Sequence, residues 1–379
     1  MERNHYRYLD ALRGIAIFLV LLVHVWNVAK PDNALLDFLG AHGARGVQLF
    51  YMASALTLLM SWENRRQREH APVRNFFLRR FFRIAPLYWL AVLIYAVAAA
   101  FGVSGHDAPV TWHSILANLT FTHGWHPDWI ASPVPIGWSV GVEVSFYALL
   151  PLLVLFITNI ERAVVAFLVS LPLAGWLAPF AIKAFPNTDS HVLHTFLYFW
   201  LPNQLPVFLL GIVAFYALPL IYEWSRKNTT DRAMVLFGLA GVVLAFASTG
   251  KGTHVTYSLG FLLLILALSI WQPVVLVNRF TCFLGKISYS VYLLHFVLLV
   301  GVQHLVTKDL PFTLSNDATF LLILALLTVY CLAICYASYR WIEEPCMAFG
   351  KKVIARFETR PTVQHSPADS PSRLATVRR

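Results

Sequence analysis

Apolar residues in this sequence fall into long blocks that are separated by short polar segments. The blocks are about 17–25 residues long, the length at which an α-helix crosses a bilayer core of roughly 30 Å. They are continuous and do not alternate with polar residues as barrel strands do. The pattern therefore predicts a bundle of about ten transmembrane helices, near residues 11–29, 46–62, 84–102, 137–158, 163–183, 197–221, 232–249, 255–273, 283–306 and 318–341.

The composition excludes an ordinary soluble protein. Hydrophobic residues make up 58% of the 379 residues and charged residues only 13%, whereas a soluble domain is roughly 25% charged. A chain with so few charges cannot cover a water-exposed surface of this size. The sequence predicts an all-α integral membrane protein, with the lipid bilayer as its first partner.

The basic residues are distributed unevenly over the connections between the predicted helices. Of the 29 Lys and Arg residues, 24 lie on one side of the bundle. Because cytoplasmic loops carry the excess of Lys and Arg, both termini are predicted to be cytoplasmic. The net charge of +10 is then a topological signal, and no nucleic-acid partner is predicted. The opposite side holds Lys30, Arg45, Lys183, Lys251 and Lys308.

Two parts of the chain differ in composition. Residues 1–350 are predicted to form one ten-helix membrane domain. Residues 351–379 are basic and rich in Pro and Ser, which predicts a disordered cytoplasmic tail. The sequence has no metal-ligand motif and no Gly-rich phosphate loop, so neither a metal nor a bound cofactor is predicted.

The first predicted helix carries ionisable residues within its apolar run. Arg13 and His24 are eleven residues apart, which places them on one helix face about 16 Å apart along the axis. Asp10 precedes Arg13 by one turn and can neutralise it. Ionisable groups within a span usually face a partner or a water-filled cavity, so His24 is a candidate general base. Alternatively, His24 is held by a hydrogen bond between helices.

A second candidate element begins at Gly137. Ser139, Glu143 and Tyr147 are spaced by four residues and therefore share a helix face. A carboxylate inside a span needs a cation or a hydrogen-bond donor. Glu143 could orient His24, bind a substrate hydroxyl or act as the base itself, and it could also simply hold two helices together.

Arg80 and Arg83 lie one turn apart where a predicted span begins on the cytoplasmic side. Guanidinium groups bind phosphates well, so a nucleotide-bearing donor such as acyl-coenzyme A could contact them from the cytosol. Anchoring at anionic lipid head groups would select the same residues.

The remaining candidates are polar or aromatic residues near the predicted outer half. Ser288, Tyr292 and His295 share one face of the ninth span, where they could contribute to catalysis or to helix packing. Trp125 in the long external segment and Trp138 after it could contact a sugar acceptor. Tryptophan also collects at membrane interfaces as an anchor.

Together these elements resemble the membrane-bound acyltransferase-3 family, whose bacterial members O-acylate cell-surface carbohydrates. The resemblance covers about residues 5–347. It is carried by Arg13 with His24, Arg80-Phe81-Phe82-Arg83, Trp138-Ser139 with Glu143, the run Ile287 to His295, and Trp341-Ile342-Glu343-Glu344-Pro345.

The resemblance implies that acyl-coenzyme A, usually the acetyl ester, is a co-substrate taken from the cytosol. It also implies that Arg13 and His24 are essential, and that Arg80 and Arg83 contribute to donor handling. The expected location is the bacterial inner membrane. Some members carry a fused esterase-like domain, and this chain is expected to be the stand-alone form because it ends soon after its last span.

These observations lead to one hypothesis and two rivals. The hypothesis is transfer of an acetyl or other small acyl group from acyl-coenzyme A to a hydroxyl of a glycan or glycolipid, with His24 as general base. Within the same enzyme class, the acceptor could be a small molecule such as a macrolide, or the acyl group could be succinyl. A transporter of polysaccharide or lipid intermediates would also explain ionisable residues inside the membrane.

Overall fold

The computed structural model describes residues 6–102, 109–309 and 313–358. Within these ranges every regular element is a helix, which confirms the predicted fold class. In chain order the helices are α1 (Arg7–Val28), α2 (Ala34–His42), α3 (Gly46–Arg66), α4 (Pro72–Ala100), α5 (Trp112–Leu119), α6 (Gly137–Phe156), α7 (Ile160–Ser170), α8 (Leu173–Ala184), α9 (Ser190–Phe199), α10 (Leu201–Ser225), α11 (Thr229–Ser248), α12 (His254–Ile270), α13 (Arg279–His304), α14 (Asn316–Tyr330) and α15 (Glu344–Glu358).

Eight helical segments in the described ranges are long and apolar enough to cross a membrane. One joins α7 to α8, a second joins α9 to α10, and a third runs from α14 to the end of α15 through two π-helical stretches. The 17-residue α12 is apolar but shorter, and the 21-residue α3 is not among the eight. The chain is therefore a multi-pass membrane protein, while ten crossings and cytoplasmic termini stay predictions.

Helices α1 and α13 form the closest-packed pair of the bundle, because two glycines let their backbones touch. A Cβ atom added to Gly14 would lie 1.9 Å from the carbonyl oxygen of Thr281. A Cβ atom added to Gly285 would lie 1.8 Å from the carbonyl oxygen of Asp10. Small residues allow such close approach between membrane helices. The contact fixes the start of α1, where Arg13 lies, against α13.

Helix α15 extends to Glu358, past the domain boundary predicted at residue 350. The carboxylate of Glu358 accepts hydrogen bonds from the backbone N–H of His70 at 2.9 Å and from the side chain of Asn75 at 2.7 Å. These bonds satisfy free donors at the start of α4 and attach α15 to it. Residues 359–379, the rest of the predicted tail, lie outside the described ranges.

The predicted external loop contains a short helix, α5, and is anchored to α4 by His123. Its Nε2 lies 2.9 Å from the carbonyl oxygen of Gly137 and 3.0 Å from the hydroxyl of Tyr88, which itself donates to Asn118 at 2.6 Å. Residues 103–108 of this loop lie outside the described ranges. Burial away from water disfavours the charged ring and lowers the pKa of His123 from 6.5 to about 4.

We expect this buried histidine to make the stability of the fold pH-dependent. Between about pH 6.5 and 4 the unfolded state binds a proton that the folded state excludes. Stability is therefore complete above this range and falls as the pH drops through it, by at most about 1.4 kcal/mol per pH unit from this one residue. Thermal unfolding in detergent between pH 7 and pH 4 measures the slope. His123→Gln should reduce it, whereas the same change at the exposed His113 should not; an unchanged slope in both variants contradicts the assignment.

Candidate active site

Five helices surround a cavity of about 190 Å³, called here the central cavity. Helices α1, α3, α4, α6 and α13 each contribute side chains to it. Its lining residues are Arg13, Val47, Phe50, Tyr51, Ser54, Thr57, Arg80, Arg83, Ile84, Ser139, Val140, Glu143, Tyr147, Ser288, Tyr289 and Tyr292. Residues from four of the predicted sequence elements thus line one partly polar cavity.

Arg13 is held at the wall of this cavity by two partners. Its Nη2 donates to the hydroxyl of Thr57 at 2.7 Å, and its Nη1 lies 3.5 Å from a carboxylate oxygen of Asp10. The contact predicted between Asp10 and Arg13 is confirmed. Asp10 is 54% exposed, so solvent weakens this ion pair and leaves the guanidinium able to interact with an anionic ligand.

Glu143 faces the same cavity from α6. Its carboxylate accepts a hydrogen bond of 2.5 Å from the hydroxyl of Ser54. Ser139 and Tyr147 also line the cavity, so the helix face predicted from the four-residue spacing is confirmed. The cavity therefore contains one carboxylate together with the guanidinium groups of Arg13 and the two arginines of α4.

Ser54 and Thr57 were not anticipated from the sequence. Both lie on α3, and each fixes a charged cavity residue that another helix supplies. Their three-residue spacing within a span was the available signal, since two hydroxyls on one helix face often bond across a helix interface. Nothing in the sequence identified Glu143 and Arg13 as their partners.

Tyr292 closes one side of the central cavity. Its hydroxyl accepts a hydrogen bond of 2.6 Å from Ser139 and donates to the carbonyl oxygen of Ile136 at 3.2 Å. Its ring packs edge-on against Phe50 at 6.2 Å between centroids. These contacts join α13 to α6 and place two aromatic rings at the cavity wall.

His24 does not line the central cavity. Its ring instead contacts the rings of His295 and Phe296 on α13, at centroid distances of 5.0 and 5.4 Å. The His295 ring in turn lies 6.0 Å from that of Tyr292. Arg13 and His24, which were predicted to share an inward face, thus belong to two adjacent sites, with Tyr292 and His295 between them.

A second cavity of about 440 Å³, called here the basic cavity, adjoins the first at Arg80 and Arg83, which line both. In the described ranges neither arginine lies within ion-pair distance of a carboxylate. By contrast, Arg79 and Arg65 share Glu69, at 2.6 and 3.8 Å. The lining residues are Ser61, Arg65, Arg79, Arg80, Phe82, Arg83, Met347, Gly350, Lys351, Ile354 and Ala355.

The two tryptophan candidates have different surroundings. Trp138 is buried and stacks on Phe199 with 3.9 Å between ring centroids, so it packs the core and does not line the central cavity. Trp125 is 48% exposed, and its indole N–H donates to Ser145 at 2.9 Å. Of the two, only Trp125 presents a ring face to a molecule outside the bundle.

Glu343 is a further buried carboxylate, and the sequence placed it only within a terminal signature. It is 2% exposed and accepts a hydrogen bond from Ser290, which also bonds to Ser338. The residue lies in the second π-helical stretch, Tyr339–Glu343. This bond joins the segment after α14 to α13 behind the cavity wall.

Comparison with known proteins places these features in a family. The profile of an acyltransferase domain, the acyltransferase-3 domain, matches residues 6–340. The chain is 26% identical over 392 residues to "O-acetyltransferase OatA" of Staphylococcus aureus strain NCTC 8325, covering 92% of this chain and 59% of OatA. It is 23% identical over 314 residues to ORF330 of Acidianus two-tailed virus, and the match covers 80% of this chain and 86% of ORF330. ORF330 is named only provisionally as an acetyltransferase. No solved structure gives a significant match.

Proposed function

We propose that this chain, which belongs to the acyltransferase-3 family, transfers an acetyl or other small acyl group from acyl-coenzyme A to a hydroxyl of a cell-surface or exported carbohydrate. The chain spans 59% of the length of the staphylococcal relative. We therefore extend the activity named for that whole protein to this chain only as a proposal. The observation that carries it is a pair of adjoining cavities, one basic and one with a carboxylate. Arg80 and Arg83 line both, and neither forms an ion pair within the described ranges. The predicted site of action is the bacterial inner membrane.

The donor side of the proposal rests on the chemistry of the basic cavity. Coenzyme A carries phosphate groups at one end of a long, thin arm and the acyl thioester at the other. Planar guanidinium groups bind phosphate oxygens in a bidentate manner. We place the phosphates against Arg80, Arg83 and Lys351, and the thioester arm in the central cavity beside Arg13. In the predicted positive-inside orientation the basic cavity lies at the cytosolic face, where acyl-coenzyme A is available.

We expect Arg83→Gln to raise the KM for acetyl-coenzyme A about 10- to 100-fold, because a charge-assisted hydrogen bond to phosphate contributes about 1.5–3 kcal/mol. The kcat should change less, since Arg83 lies on the donor side of the cavity. Arg74→Gln is the matched control, because Arg74 also lies near the start of α4 but lines neither cavity. Steady-state kinetics of the purified variants measure both constants. An equal KM in the two variants would remove Arg83 from donor binding.

The transfer itself follows from the chemistry of a thioester and a hydroxyl. His24 takes the proton of the acceptor hydroxyl as the oxygen attacks the thioester carbonyl carbon. The carbon–sulfur bond then breaks, and the proton passes from His24 to the departing coenzyme A thiolate. The products are the acyl ester and free coenzyme A. Arg13 positions the donor from the central cavity, and Glu143 orients the donor arm or the acceptor.

Direct transfer requires the acyl group to reach His24 from the central cavity. The rings of Tyr292 and His295 lie between the wall of the central cavity and His24. A relayed acyl-enzyme is the alternative chemistry, and it needs a nucleophile near His24. The acceptor would arrive from the opposite side, where Trp125 offers an exposed ring face.

Label transfer tests the enzyme proposal against a transporter. Purified protein in detergent is given acetyl-coenzyme A labelled in the acetyl group, together with a panel of oligosaccharides, glycolipids and a macrolide. We expect label in a carbohydrate product. Label in the macrolide alone would assign a small-molecule acceptor. No transfer to any acceptor, combined with movement of a polysaccharide intermediate across liposomes, would establish the transporter instead.

A further inference from the structure

His295 is fully buried, and only one of its two ring nitrogens has a partner. Its Nδ1 lies 3.0 Å from the carbonyl oxygen of Val291 and 2.7 Å from that of Tyr292. Its Nε2 has no hydrogen-bond partner in the part of the chain that the structure describes, although the side chain is 0% exposed. Leaving a buried polar atom unpaired is energetically unfavourable. Such an atom suggests a role other than packing.

The contacts of Nδ1 determine which nitrogen carries the hydrogen. Both neighbours of Nδ1 are carbonyl oxygens, which only accept hydrogen bonds. The hydrogen of neutral His295 is therefore on Nδ1, and Nε2 holds a free lone pair. Because Nδ1 is turned toward the backbone of its own helix, Nε2 lies on the opposite side of the ring, away from α13.

His24 is the one polar ring from another helix that contacts His295 within the described ranges. Their centroid distance of 5.0 Å fits an N–H···N hydrogen bond of about 2.9 Å between the edges of two imidazoles. In the structure the two rings are tilted by 46° and do not make this bond. Its formation requires the His24 ring to turn about χ2, which is a broad two-fold torsion. The other polar neighbour, Tyr292, already donates its hydroxyl hydrogen to Ile136.

We propose that His295 is a positioning residue that accepts a hydrogen bond from His24 through Nε2 and thereby fixes which His24 nitrogen is free to act as base. The inference rests on the proposed function, because it assigns His295 to the base of that reaction. It goes beyond that function by defining a His24–His295 pair. In other enzymes a carboxylate orients the catalytic histidine through a hydrogen bond, and His295 has the same role here.

The pair accounts for every proton of the transfer. In the resting state one nitrogen of His24 donates its hydrogen to Nε2 of His295, and the other nitrogen holds a lone pair toward the acceptor. When His24 takes the hydroxyl proton it becomes positively charged. The hydrogen bond to Nε2 then stabilises that charge in a region with little water. Return of the proton to the coenzyme A thiolate restores the resting state, and His295 stays neutral throughout.

Two substitutions separate this role from simple packing. Glutamine at position 295 places an amide oxygen near the position of Nε2, so it can still accept from His24. Asparagine instead keeps an N–H near the position of Nδ1 and loses the acceptor. We expect His295→Asn to lower kcat about 100-fold with an unchanged KM for acetyl-coenzyme A, the lower end of general-base contributions. His295→Gln should stay near the wild-type rate.

The activity probe is thiol release from acetyl-coenzyme A with chitotriose as acceptor, measured on the full chain in detergent. Thermal unfolding of each variant checks that it is folded. In a His24→Ala background, His295→Asn should have no further effect, because the two residues act as a unit. A packing role tied to Nδ1 predicts the opposite order, with asparagine active and glutamine inactive, and that result would overturn the proposal.

A second measurement needs no turnover. Nitrogen NMR of protein labelled with ¹⁵N-histidine reports which ring nitrogen carries hydrogen. We expect one His24 tautomer in the wild type and in His295→Gln, and a mixture in His295→Asn. An identical His24 tautomer in all three proteins, or hydrogen on Nε2 of His295, would overturn the pairing. If the pairing holds but His24→Ala retains activity, the proposed function of His24 fails and the pairing stands.

Discussion

Replacing His24 with alanine is expected to lower acyl transfer about 10²–10⁴-fold, the contribution of a positioned general base. His24 lies outside the central cavity, so binding of acyl-coenzyme A should persist and its KM should change little. We also expect the variant protein to remain folded. The His24 ring is only partly buried, and loss of the hydrogen bond proposed between His24 and His295 should lower stability by only about 1 kcal/mol.

Purified wild-type and variant proteins are compared by transfer of labelled acetyl groups, with binding of acetyl-coenzyme A measured separately. His304→Ala is the matched control, because His304 is an exposed histidine at the end of α13. Loss of transfer with intact donor binding supports the general-base role. A His24→Ala variant that transfers acetyl groups at the wild-type rate would remove His24 from the mechanism.

Replacing Gly285 with alanine is expected to destabilise the bundle by about 3 kcal/mol or more, the upper end of the cost of overpacking. The added Cβ atom would lie 1.8 Å from the carbonyl oxygen of Asp10 and 2.6 Å from its carbonyl carbon, both of them backbone atoms. No side-chain rotation relieves such a clash, so α1 and α13 must separate. Arg13, one turn beyond Asp10, would move with α1. We therefore expect a lower unfolding temperature together with weaker acyl transfer.

Gly301 on the same helix provides the control for this change. A Cβ atom at Gly301 meets no atom of the described residues within 4 Å, so alanine should be tolerated there. Alanine also has a better helix propensity than glycine. Thermal unfolding in detergent compares both variants with the wild type. If Gly285→Ala unfolds at the same temperature as Gly301→Ala, the backbone contact between α1 and α13 is not needed for stability.

Part of the candidate site follows from spacing within single helices. Residues four apart project from one side of a helix, and Ser139, Glu143 and Tyr147 do line one cavity. Asp10 contacts Arg13 for the same reason. These predictions are confirmed because both depend only on the geometry of a single helix. The long apolar sequence around these residues was enough to predict that helix.

Relations between helices were not predictable in this way. The spacing of Arg13 and His24 predicted that they share one face of α1. Over the eleven residues between them, however, that face contacts different neighbouring helices. Arg13 meets α3 at Thr57, whereas His24 meets α13 at His295. Which side chains of α3 and α13 lie opposite α1 depends on how the helices cross. For α13 the crossing is set by backbone contact at Gly14 and Gly285, and for α3 by the close approach of Gly46 to α1.

The sequence by itself determined that this is an all-helical, multi-pass membrane protein with ionisable residues inside its spans, because block length, charge content and helix periodicity are local properties of the chain. It also identified Arg13, His24, Glu143, Arg80 and Arg83 as residues that need a special environment. Only the tertiary structure decided their grouping. It joined Arg13 and Glu143 with the two arginines of α4 and placed His24 beside His295 in a separate site. The physical reason is that helix packing brings together residues far apart in sequence, and no local pattern encodes which faces meet.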